Sequence, residues 1–268
     1  MNICRNMCLI LILFFVSPAW GKATLGIWPV RVSLTPDQKI SEVILRNNGK
    51  NEVKVQVYAK TWDMDENGKF IETDTGDFVF FPRLLTIPGG EEKTLRVGYN
   101  GDFPAVEKPY RLYIQELPEI QTQEQKEKEK MEAYFNFLLK LSVPVFVMPS
   151  NAPEPVKAEI AGVEPGENGL KVSFRNAGIR NFLLKKIEAR LMDKNGTAID
   201  EFKDDYVQRV LPMRSVFLRI PFNSSQCGKA GKLFLRFFLE GSDKAISQTL
   251  NLNPGCTFSG NSVPMTAE

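Results

Sequence analysis

Apolar and polar side chains alternate with a period of two in short runs along most of this chain, and that pattern leaves little choice of architecture. WPVRVSL at 28–34, SEVILRNN at 41–48, EVKVQVYAKTW at 52–62, FVFFP at 78–82, KTLRVGY at 93–99 and YRLYIQEL at 110–117 all mix β-branched or aromatic residues with polar ones. Such runs are strands with one face in a core and one in water. Asn-Gly pairs at 48–49, 67–68, 168–169 and 195–196 supply the turn chemistry of hairpins. Many short strands at this spacing predict an all-β chain of antiparallel sandwiches.

The longest run is YFNFLLKLSVPVFV at 134–147. Phe135, Phe137, Leu139, Leu141, Val143, Val145 and Val147 are all apolar, whereas Asn136, Lys140 and Ser142 among the even positions are polar. Directly before it lies QTQEQKEKEKME at 121–132, with the composition of a solvated loop or frayed helix. A strand that starts where a charged loop ends has little of its own protein to cover its first half. We therefore expect Val143 to Val147 to face the chain's own core, and Phe135, Phe137 and Leu139, with Leu141 on the same face, to meet a partner. Burying a side chain of this size fully is worth about 1.5–3 kcal/mol.

The first residues, MNICRNMCLILILFFVSPAWGKAT, read as a secretory signal peptide over 1–21. A basic residue precedes a short apolar stretch, and small residues follow at Ala19 and Gly21; an uncleaved anchor is the alternative. The remaining residues suffice for two domains. The segment MPSNAPEPVKAE at 148–159, with three prolines, reads as their linker, so we place one domain over 22–149 and the other over 150–268. An echo supports two copies of one architecture: VILRNNG at 43–49 resembles VSFRNAG at 172–178.

Export removes Cys4 and Cys8 and leaves Cys227 and Cys256, for which a disulfide is the default in an oxidising compartment. Two free buried thiols are the alternative. The chain has no histidine, which removes the usual general base of hydrolases and the commonest metal ligand. No GxSxG, Walker or GxGxxG pattern appears. We expect no catalysis, no cofactor and no metal. A formal charge of +2 offers no strong field for nucleic acid or an acidic membrane.

Several ordered stretches resemble the periplasmic PapD-like chaperones of the chaperone–usher pilus pathway. GIWPVRVSLTPDQKISEVILRNN at 26–48 is similar to that family's first two strands, and PRLLTIPGGEEKTLRVGY at 82–99 to its proline–PG–Arg signature. EKPYRLYIQELPE at 107–119 resembles its sixth strand, and 134–147 followed by Pro149 its long seventh. The IWP start and the PVFV run are most similar to the archaic branch.

The resemblance implies two immunoglobulin-like β-sandwiches arranged as an L. The chaperone would lend the strand around 134–147 to pilus subunits that lack their own last strand, cap them in the periplasm and deliver them to an outer-membrane usher. The resemblance also implies that Arg31 anchors the subunit's terminal carboxylate, a task suited to the guanidinium fork. The family's second anchor, a lysine, would fall at Pro144. Lys140, about 13 Å away along an extended strand, and Arg96 are the candidate replacements. Glu107 matches an acidic residue of an interdomain ionic cluster whose basic partner would fall at Met148. A secreted two-domain adhesin or surface structural module is the alternative reading.

Overall fold

The computed structural model describes residues 25–118, 138–149, 156–167, 169–242, 244–258 and 263–267. The predicted signal peptide and the proline-rich residues 150–155 lie outside them, as do Phe135 and Phe137. The first sandwich contains β1 (Leu25–Trp28), β2 (Val32–Leu34), β3 (Ile40–Asn47), β4 (Val53–Met64), β5 (Phe70–Asp74), β6 (Phe78–Phe81), β7 (Leu84–Ile87), β8 (Glu92–Tyr99), β9 (Lys108–Glu116) and β10 (Lys140–Val147). One sheet runs β1-β3-β8-β6 and the other β2-β10-β9-β4-β5, with β7 beside β4. The first strand of the fold is thus split between sheets, crossing over at residues 29–31.

The second sandwich contains β11 (Ala158–Gly166), β12 (Gly169–Asn176), β13 (Phe182–Met192), β14 (Ala198–Val210), β15 (Ser215–Ile220), β16 (Lys232–Leu239), β17 (Ile246–Asn251), β18 (Val263–Pro264) and β19 (Thr266–Ala267). Its sheets run β15-β12-β11-β18 and β14-β13-β16-β17-β19. A single turn of helix, α1 (Ser224–Cys227), carries the Cys227 half of a disulfide to Cys256. Asn223 caps α1 by accepting from the backbone N–H of Gln226, while the Gln226 side chain accepts from the backbone N–H of Asn223.

Alternation decides what each strand buries. On β4, Val53, Val55, Val57 and Ala59 enter the first core. Further along, Trp62 and Met64 leave by the opposite face and are buried instead in the cluster that fills the second sandwich, together with Phe146 of β10. The two sandwiches therefore share apolar contacts at their junction. Polar contacts reinforce it: Arg214 donates twice to the Asp63 carboxylate at 2.7 Å, and the Phe217 N–H donates to the Glu66 carbonyl.

The sequence echo is a structural device used twice. Asn47 at the end of β3 and Asn176 at the end of β12 are completely buried. Asn47 donates to the carbonyls of Asn51 and Ile87 and accepts from the N–H of Gly49. Asn176 does the same with Arg180, Val210 and Gly178. In each sandwich one amide closes a turn and ties it to a neighbouring strand, so no apolar residue can replace it without orphaning buried carbonyls.

Candidate functional site

The expected strand over 134–147 is observed as β10 from Lys140 onward. Its pairing is uneven. Along its whole length β10 lies antiparallel to β9, but on its other side β2 covers only Val145–Val147, in parallel. Backbone hydrogen bonds fix which residues face which side. The carbonyl of Leu139 accepts from the N–H of Glu116 at 2.8 Å, so the odd residues bond toward β9. The N–H of Met148 donates to the carbonyl of Leu34 on β2, so the even residues bond the other way. The backbone groups of Lys140 and Ser142 therefore point to an edge that no described strand occupies. Pro144 suits that edge because it has no N–H to leave unpaired.

Side chains obey the same parity. Val143, Val145 and Val147 are buried in the first core, as their place in the alternation predicts. Leu139 and Leu141 are half-buried against that same core at its open end, and the Leu139 N–H is held by the Glu116 carboxylate at 3.0 Å. Even residues point to the outer face of the sheet, which looks toward the second sandwich.

Register builds a row of cations on that outer face. Pro144 pairs with Arg111 of β9, which pairs with Lys60 of β4, which pairs with Asp74 of β5. On the other flank, Arg31 stands one residue before the Val32–Val145 pair, beside Pro144. Lys60 is satisfied by Asp74 at 3.1 Å. The Arg111 guanidinium lies 4.0 Å from the centroid of Trp62 and 4.7 Å from that of Phe70, a cation–π seat. No carboxylate among the described residues pairs with it, and its Nε is buried without a hydrogen-bond acceptor. Burial lowers its pKa, opposed by the nearby Tyr113 and Glu72, yet an arginine so placed stays charged.

The second sandwich adds charges from across the junction. Arg209 of β14 donates to the Asn181 side chain and lies 5.3 Å above the ring of Phe146. Burial lowers its pKa, and the repulsion of Arg31 and Arg111 adds to that. Glu240 meets Arg31 through a single 3.5 Å contact. Glu107 is 3 % exposed and receives the N–H and side-chain amide of Asn181 at 3.1 and 2.5 Å. Burial raises its pKa, against the hydrogen bonds from Asn181 and the charges of Arg180 and Arg209. The interdomain cluster is thus rebuilt around Asn181, with Met148 packed on the second core where the resemblance would put a cation.

Of the predicted anchors, Arg31 lies in this row. Lys140 lies on the same face, four residues from Pro144, with its ammonium 4.3 Å from the ring of Tyr113. Arg96 does not belong to the cleft. It sits on β8 between buried Leu95 and Val97, so it projects from the outer face of the opposite sheet, where it pairs with Glu42 at 3.2 Å. Sequence reasoning missed Arg111 and Arg209. The first becomes visible only through the pairing of β9 with β10, the second only through the packing of the two sandwiches.

Residues 24–153 match the family described as pili and flagellar-assembly chaperone, PapD N-terminal domain. No curated protein matches the chain in sequence. Among solved structures, the chain is similar to one from the CsuC–CsuE chaperone–tip subunit pre-assembly complex of the archaic chaperone–usher Csu pili of Acinetobacter baumannii. That match has 19% identity and a TM-score of 0.58, and covers 85% of this chain and 98% of that one. The class 5 fimbriae chaperone CfaA is similar at 16% identity and TM-score 0.56, over 84% and 98% of the two chains. The SafB chaperone structure, in complex with the Salmonella enterica pilin SafA, matches at 15% identity and TM-score 0.53, over 85% and 96%. At these identities the structures speak for the fold, and the family match speaks for the first sandwich. The first sandwich thus matches the PapD N-terminal domain, and the chain as a whole shares the fold of these chaperone structures.

Proposed function

We propose that the protein is a periplasmic chaperone that captures pilus subunits lacking a strand, completes them with β10 and the residues leading into it, and passes them to an outer-membrane usher. The observation that carries this reading is the open edge of β10 over residues 140–142. It lies in a PapD-type sandwich and is flanked by half-buried Leu139 and Leu141. A strand edge of this kind offers main-chain hydrogen bonds for affinity and alternate side chains for specificity. Phe135 and Phe137 extend the same face in sequence. Several apolar side chains entering a subunit groove would contribute several kcal/mol before ordering costs. Arg31 supplies the charge for the subunit's terminal carboxylate, with Lys140 further along the strand as a secondary cation. The work is binding, without catalysis.

Co-expression with candidate pilus subunits tests the proposal directly. A one-to-one complex should be recovered from the periplasm, and Arg31→Ala should fold normally while capturing far less subunit. Failure of the wild-type chain to capture any subunit, with the protein retained at the cell surface instead, would favour the surface-module reading.

A further inference from the structure

The sheet opposite β10 leaves a large apolar area uncovered on its outer face. Alternation buries Val43 and Leu45 of β3 and Leu95, Val97 and Tyr99 of β8 in the first core, so the residues between them point outward. Trp28 of β1, Ile40 of β3, and Val79 and Phe81 of β6 share that outward parity, and each is between 59% and 70% exposed. Single exposed apolar residues need no explanation, but four on one face of one sheet mark a contact surface.

Register arranges this face in rows across β3 and β8, the two central strands. Arg46 stands beside Glu92, Ile44 beside Thr94, Glu42 beside Arg96, and Ile40 beside Gly98. Trp28 extends the second row past Ile44, while Phe81 extends the third past Arg96 and Val79 the fourth past Gly98. Two rows are ion pairs, at 3.1 Å for Arg46–Glu92 and 3.2 Å for Arg96–Glu42. Their polarity is opposite: β3 carries the cation in the first row and the anion in the third. The fourth row holds a knob and a gap. A Cβ on Gly98 would meet only the Ile40 side chain and the Val79 carbonyl, both at 3.7 Å, so the space above it is open.

This pattern is complementary to itself. A two-fold axis lying in the face, along the strands and between β3 and β8, sets β3 of one copy over β8 of the other. Glu42 then meets Arg96 of the second copy, Arg46 meets its Glu92, and Ile40 enters the gap at its Gly98, each contact occurring twice. We infer that this face is a docking surface for a second copy of the chain, joined by exchanged ion pairs beside a small apolar contact. An added strand does not fit, because the face presents side chains and not backbone groups. The rows carry equal numbers of both charge signs, which gives no attraction to an anionic lipid surface. A face four strands wide, at about 4.8 Å per strand, and four rows long, at about 7 Å per row, has an outline of roughly 500 Å². Two such faces fall at the small end of specific interfaces, where association is reversible. The inference stands apart from subunit capture: β10 belongs to the other sheet, so a paired chain keeps its open edge free.

Sedimentation velocity of the purified full chain, from about 10 µM to about 1 mM, tests the inference. The weight-average mass should rise with concentration toward that of a dimer, and less so at high salt. Glu42→Arg and Arg96→Glu should each weaken association at least about tenfold, because like charges then face each other twice. An equal mixture of the two should recover it, since each variant supplies the charge that the other lacks, and that recovery requires both to be folded. Gly98→Val, which fills the gap, should stay monomeric while still capturing subunit. A wild-type chain that is monomeric throughout the range overturns the inference, as do single swaps that associate like the wild type. A mixture that stays monomeric overturns the two-fold pairing. Association of Gly98→Val at wild-type strength overturns the seat for Ile40. Co-flotation with phosphatidylglycerol–phosphatidylethanolamine vesicles by a chain that remains monomeric assigns the face to lipid instead.

Discussion

Asn47 and Asn176 show how much a single side chain can settle. Each is a polar residue with no exposed surface whose amide makes three hydrogen bonds to backbone groups. Asn47→Ala removes all three and leaves the buried carbonyl of Ile87 unmet. Leaving a buried group unsatisfied costs about 1–3 kcal/mol, so the first sandwich should lose at least that much. Asn176→Ala should act alike on the second. Calorimetry on the two variants should show the lower-melting transition moving from one sandwich to the other; an unchanged melt in either would mean that water replaces the amide. The residue string Arg-Asn-x-Gly announced both sites, but only burial showed why asparagine stands there.

At the scale of the element, β10 is informative because its two edges differ. The N–H of Ser142 points to the open edge, so Ser142→Pro should leave the β9 ladder whole and the fold intact, as Pro144 already does two residues on. Subunit co-purification should fall sharply, because an arriving strand loses one main-chain donor. Normal capture by this variant would show that subunits do not pair at that edge. A second element-level device is the disulfide between α1 and the turn after β17, closing 29 residues of sequence. In the chain-entropy view it stabilises the second sandwich by about 3.5 kcal/mol. Replacing Cys227 and Cys256 by alanine should lower the melting temperature of that sandwich. Subunit capture by the first should persist.

The whole molecule depends on contacts that join the sandwiches, and two of its carboxylates respond to pH in opposite senses. Asp63 has its pKa lowered by the hydrogen bonds from Arg214, so its contribution is present at neutral pH and fades as acid protonates it. Glu107 has its pKa raised by burial; its protonated form suits the folded joint better than its charged form. The stability it contributes is complete below the ordinary glutamate value of about 4.3 and is lost as pH rises through the higher folded value. Glu107→Gln mimics the protonated acid. Thermal melts of the variant and the wild type should coincide in acid, and the variant should become the more stable one as pH rises above about 4. If the two curves stay parallel, Glu107 does not titrate differently in the folded joint.

Much of this was local, and local features are legible in a sequence. The period of two named the strands and put Val143, Val145 and Val147 in the core, because neighbouring side chains on a strand must point to opposite faces. Cys227 and Cys256 were legible as a bridge, and Asn-Gly and Arg-Asn-x-Gly marked turns. Pairing across sequence distance was decided only in three dimensions. Nothing in residues 108–116 says that Arg111 will lie beside Pro144, since a strand's neighbours are chosen by sheet order and not by chain order. Arg96 carried the same charge and the same alternation, yet its strand joined the opposite sheet and turned it away from the cleft. Trp62 and Phe146 look like ordinary strand residues until the second sandwich covers them, and that packing is what brings Arg209 and Glu240 to Arg31.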